Sequence, residues 1–192
     1  MLFAPDTEDV LEFNAAILNT VAGASRSGED ELSTRDQLST LMAESGFSGR
    51  FDRDDAELDA MRAARARLRE IWTLDRDDMI APINELLARL NAVPRLERHD
   101  GIDWHVHATS QEAPLADRFL VEAAMALIDV VRSNETSRLR HCAAFDCEGM
   151  LVDLSRNGSK RFCSVRCGNR MNMVAFRERR AADPVGRTVS GG

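Results

Sequence analysis

Four cysteines, the only ones among 192 residues, fall inside one short segment of the chain. Cys142 and Cys147 are separated by four residues, Cys163 and Cys167 by three, and fifteen residues lie between the two pairs. Thiols paired at such short spacing point to a tetrahedral zinc cage, with a disulfide pair or buried free thiols as the alternatives. The intervening residues fit a small metal-held module. Met150 to Leu154 reads as a strand, Ser155 to Ser159 as a turn, and Lys160-Arg161-Phe162 as a return strand. Asn157-Gly158 supplies residues that tolerate the backbone of a tight turn. From Ser164 onward the composition is helical, which places Cys163 and Cys167 at the entrance and first turn of a helix. Knuckle, hairpin and helix in that order describe a treble-clef-like finger, closed by one structural Zn²⁺. With all four positions taken by sulfur, no site is left for a catalytic water.

Charge divides the chain in two. The net charge of −7 argues against a polyanionic partner, but residues 1–131 hold 13 Arg against 26 Asp or Glu, whereas residues 132–180 hold 11 Lys or Arg against 5 acids. A basic head on an acidic body is the pattern of a nucleic-acid-binding module. Four thiolates around Zn²⁺ carry a formal charge of about −2 and reduce that excess. The candidate phosphate contacts are Arg156, Lys160 and Arg161 around the hairpin, with Arg166, Arg170, Arg177 and Arg180 along the helix. Spacings of three, four and seven keep the helical arginines on one stripe, where guanidinium groups can grip phosphates bidentately. The plainer reading is a solvated basic helix that pairs with the acidic body.

Residues 1–135 carry helical periodicity. Asp6 or Thr7 is expected to cap a first helix that Gly23 stops. Ser33 with Asp36 is expected to form a capping box for a second, ended by Gly46. Asp52 opens a third helix with Leu58, Met61, Leu68, Ile71 and Trp72 inward and Arg62, Arg65, Arg67 and Arg69 outward. Asp77 or Asp78 opens a fourth, with Pro82 in its first turn. Pro94 ends the helical run, and a hairpin turning at Asp100-Gly101 joins residues 95–99 to 102–107. Pro114 starts a fifth helix, and Ser133 to Arg140 is a short, partly helical connection. His105 and His107 share one strand face; without a third ligand nearby they read as surface residues. The expected fold is α+β, mainly α: a helical body over 1–135, a finger over 136–182 and a disordered tail over 183–192.

The stretches Cys142 to Cys147, Asp153-Leu154-Ser155-Arg156-Asn157-Gly158, Lys160 to Ser164 and Cys167-Gly168-Asn169-Arg170 resemble the CGNR zinc-finger family. Phe162 stands where that family usually has Trp, and Asn172 where a Lys is common. The preceding region is similar to the ABATE domain in Ile17-Leu18-Asn19-Thr20, in Leu32 with Asp36 and Leu38, in Leu68-Arg69-Glu70 and in the hairpin through Trp104. The resemblance implies a bacterial, stress-linked transcription regulator whose finger binds DNA and whose body senses a small-molecule effector. Asn19, Arg69 and Trp104 would be the pocket residues. A homodimer fits such a protein. The start of the chain lacks a signal-peptide pattern and no apolar run approaches membrane-spanning length, so a cytoplasmic protein is expected. No nucleophile–base or phosphate-loop pattern occurs in the sequence, so a non-enzymatic protein is expected. Readings from other classes are a protein-interaction adaptor and a thiol/zinc redox sensor.

Overall fold

The computed structural model describes residues 2–98 and 104–182. Six α-helices and two antiparallel hairpins follow one another: α1 (Pro5–Leu18), α2 (Arg35–Ser45), α3 (Asp55–Trp72), α4 (Ile80–Arg89), β1 (Arg95–Glu97), β2 (His105–His107), α5 (Leu115–Arg132), β3 (Leu139–His141), β4 (Met150–Val152) and α6 (Val165–Ala182). The mainly helical α+β architecture matches the periodicity of the sequence. The expected turn at Asp100-Gly101 and the tail over 183–192 lie outside the described residues.

α5 is the centre of the body and packs on α1, α3 and α4. Its apolar residues recur every three or four positions, so Phe119, Ala123, Ala124, Leu127 and Val130 are all buried. They meet Leu11, Ile17 and Leu18 of α1 and Met61, Leu68, Ile71 and Trp72 of α3 in one continuous core.

Helix starts differ by a few residues from the sequence expectation. Pro5 enters the first turn of α1, where its missing N–H costs nothing, so the cap falls on Ala4 instead of Asp6 or Thr7. In α2 the capping box uses Thr34 and Gln37, one residue later than Ser33 and Asp36; the longer Gln37 side chain reaches back to the Thr34 N–H at 3.0 Å. Asp54, not Asp52, caps α3 by accepting from Glu57 N at 2.8 Å. Gly46 ends α2 with φ of 68°, as its residue type favours.

Two further corrections concern the finger. Lys160-Arg161-Phe162 is not a strand. The partner of β4 is β3, with Leu139 opposite Val152 and His141 opposite Met150. The region after Ser133 is a 3-10 turn over Thr136–Arg138 that passes directly into β3. The cysteine-bearing segment 142–149 is therefore the loop of this hairpin. The physical reason is burial: Leu139, Met150 and Val152 belong to the body's core, whereas Phe162 packs against the cysteine cluster. Finger hairpin and body thus share one apolar interior.

Candidate metal centre

The four Sγ atoms lie within 4.8 Å of one another. Cys147 and Cys163 are 3.7 Å apart, Cys163 and Cys167 3.8 Å, and Cys167 and Cys147 3.7 Å. Sulfurs about 2.3 Å from a tetrahedral zinc are separated by about 3.8 Å, so the cluster has the dimensions of a filled site. Cys142 and Cys147 come from the β3–β4 loop, Cys163 from just before α6 and Cys167 from its first turn. Backbone N–H groups point at the sulfurs: Gly149 donates to Cys147 Sγ at 3.3 Å and Cys163 to Cys142 Sγ at 3.4 Å. Burial pushes the Cys147 and Cys163 thiols up, and Cys163 further by its hydrogen-bonded cysteine neighbours. Such thiols lose their protons when a cation replaces them, which makes metal uptake and folding of this loop one event.

Gly149 is the residue that permits this closeness. A Cβ on it would lie 2.7 Å from Cys163 Sγ and 3.1 Å from Cys147 Sγ. A Cβ on Gly168 would lie 3.4 Å from the Phe162 ring, in ordinary contact.

The cations fall into two groups. Arg170 pairs with Asp146 at 2.7 Å and reaches Cys167 Sγ at 3.6 Å, so it supports the metal cluster from outside. Arg166 donates to the Arg26 carbonyl at 2.6 Å and ties α6 to the body. Lys160 donates to the Val152 carbonyl at 3.1 Å. Arg161 lies over the Phe162 ring at 5.6 Å and Arg180 over Phe176 at the same distance. Arg156, Arg177 and Arg179 are exposed. Cys167 is the only described residue of α6 that is buried, so the helix projects from the body with Val165, Met173 and Phe176 also open to solvent.

Asn19 and Arg69 meet at the seam between body and finger. The Asn19 amide donates to the Met150 carbonyl at 2.8 Å and accepts from its N–H at 2.7 Å. Arg69 bridges the Leu18 and Glu148 carbonyls, and Trp72 Nε1 donates to the Leu151 carbonyl at 3.3 Å. Trp104 is not with them; it sits beside β2 and is 64% exposed.

Several important residues escaped the sequence reading. Asp153 is fully buried and collects Ser155 N and Oγ, Lys160 N and the Arg140 guanidinium, organising the loop before α6. Burial opposes its ionisation, but those bonds outweigh it and hold the carboxyl below the usual range. An acid two residues before Ser155 is a turn signal that could have found it. Arg65, expected on the solvent face, is buried and holds Asp30 through paired contacts of 2.8 and 2.7 Å.

A closed four-sulfur cage at the root of a projecting helix defines a structural zinc module rather than a reaction centre. Residues 138–180 match the CGNR zinc finger, and residues 15–134 match the ABATE family, described as "Putative stress-induced transcription regulator". The latter covers more than half of the chain, so the protein belongs to the ABATE family and carries its CGNR finger C-terminal to that domain. No curated protein matches the sequence. The four cysteines are the zinc-binding site of that finger, and the chain is a zinc-binding regulator by family.

Proposed function

We propose that the protein is a cytoplasmic, zinc-dependent, DNA-binding transcription regulator in which the finger grips duplex phosphates. The observation that carries this reading is α6: a basic helix anchored at one end by the metal cluster and otherwise projecting into solvent. Zinc, when bound, supplies the cross-link that holds this helix at a set angle. Arg170 and Arg166 position the helix, through Asp146 and the Arg26 carbonyl. The proposed phosphate contacts are therefore Arg156, Lys160, Arg161, Arg177 and Arg180, with Arg170 and Arg166 contributing field rather than direct bonds. No described helix is long and apolar enough to cross a membrane.

The test is affinity for random duplex DNA against salt. Engagement of about five phosphates gives a slope of log affinity against log salt of about −4 to −5. A flat response from the zinc-loaded protein would overturn the reading. A specific observation favours a second role for the same helix: Val165, Met173 and Phe176 are 80%, 50% and 46% exposed. Such a surface suits a protein partner or a second subunit, and a dimer or adaptor complex that forms with no salt-dependent DNA binding would select that role. The seam at Asn19 and Arg69 offers an effector direct leverage on β4 and hence on the finger.

A further inference from the structure

A groove of about 460 Å³ runs between α1 and α2. Asp9, Glu12, Phe13 and Ala16 stand three or four residues apart along α1 and share one helix face, as Leu41 and Glu44 do on α2. The floor is firm. Ile17 is buried in the core, and the Phe13 ring stacks on Phe47 at 5.4 Å and meets Phe119 edge-on at 6.0 Å. Among the described residues, the lining holds three acids and no base. Asp9, Glu12 and Glu44 are exposed, and among the described residues none of them enters an ion pair.

The complement of this groove is on α6. Met173, Phe176, Arg177 and Arg180 also stand three or four residues apart, so they form one face with apolar and cationic groups side by side. Met173 and Phe176 are exposed, so the body of the same chain leaves them uncovered. Arg177 and Arg180 enter no ion pair among the described residues. We propose that α6 of one protomer docks in the α1–α2 groove of a second copy, with Phe176 over Phe13 and Ala16, and Arg177 and Arg180 beside Asp9, Glu12 and Glu44. Charge complementarity selects this occupant: an acid-rimmed groove and an arginine-bearing helix occur on the same chain, hence always at equal concentration. Aromatic and Arg side chains are the usual anchors of such contacts. Exchange about a two-fold axis fills both grooves, so the contact closes on a dimer. The proposal deepens the subunit role given to α6 above and does not depend on DNA binding. Its consequence for DNA does rest on that reading: Arg177 and Arg180 cannot hold carboxylates and phosphates at once, so the dimer is the form with its basic helix masked.

Sedimentation of the zinc-loaded full chain, without DNA, tests it. Wild type should dimerise with a micromolar Kd in low salt, and salt at about 0.5 M should weaken the dimer about tenfold or more, because the charged rim is exposed. Phe176→Ala should weaken it about tenfold or more. Glu12→Lys with Glu44→Lys, and separately Arg177→Glu with Arg180→Glu, should each leave the protein monomeric. An equimolar mixture of the two double variants should dimerise again, since each groove then meets a helix of opposite charge. Recovery in the mixture also shows that both variants are folded. A wild type that stays monomeric at about 200 µM, far above a micromolar Kd, would overturn the proposal. So would double variants that dimerise as wild type, or a mixture that stays monomeric. None of these readouts involves DNA, so failure of the DNA-binding reading would leave them standing.

Discussion

The body and the finger solve the same problem with different physics. The body closes a core of large apolar side chains, with Trp72, Phe119, Leu68 and Ile71 essentially removed from water. The metal-binding lobe has a cluster of only Cys142, Ala144 and Cys167 fully buried, with Phe162 and Met171 half-covered around it. Apolar burial of that extent cannot order a segment of some forty residues, so a metal must stand in for the missing core. The comparison shows where the border lies. Strands β3 and β4 follow the body, through Leu139, Met150 and Val152, although the cysteines between them follow the metal.

Removing the metal should break the comparison most visibly. Cys163→Ser, or chelation of the wild type, removes a contribution of about 10 kcal/mol or more. The expected outcome is loss of α6 and of the 142–149 loop, with hydrogen-exchange protection retained in α1, α3 and α5. Loss of protection throughout would show a single cooperative unit. The converse experiment attacks the body. Trp72→Ala creates a cavity and removes the bond to Leu151, costing about 3–5 kcal/mol. Thermal unfolding should then carry the finger with it, because β4 loses its support.

A subtler change sharpens the border itself. Asn19→Ala leaves the N–H and carbonyl of Met150 without their partner, at a cost of about 1–3 kcal/mol. Zinc affinity should fall with stability in this variant, and an unchanged affinity would mean that the seam is passive. The smallest effect is set by pH. The carboxyl of Asp153 is lowered on folding, so its stabilisation is fully present above the ordinary aspartate value of 3.8 and is lost as pH falls through the lower folded value. Acid titration of wild type against Asp153→Asn should show the two converging in that window. Parallel curves would assign the role of Asp153 to shape alone.

Much of this protein was legible before any coordinates. Cysteine spacing, the Gly46 stop and the three-to-four periodicity of α3 and α5 are local signals, and each reports the structure that forms around it. The finger's strand pairing was not legible, because Lys160-Arg161-Phe162 and Leu139-Arg140-His141 are both short, plausible partners for β4. Which one pairs depends on a core that lies more than a hundred residues away in α1.

The same limit applies to the arginines. Spacing along a helix placed Arg65 and Arg69 outside and made Arg166 and Arg170 part of one cationic stripe. Only the tertiary structure brings Asp30 to Arg65, the Glu148 carbonyl to Arg69, and Asp146 to Arg170. Sequence by itself determined the metal ligands and the helices, since coordination chemistry and helix periodicity act over a few residues. The role of each long charged side chain was decided by the fold, because a guanidinium reaches whatever carbonyl or carboxylate the packed elements bring within its range.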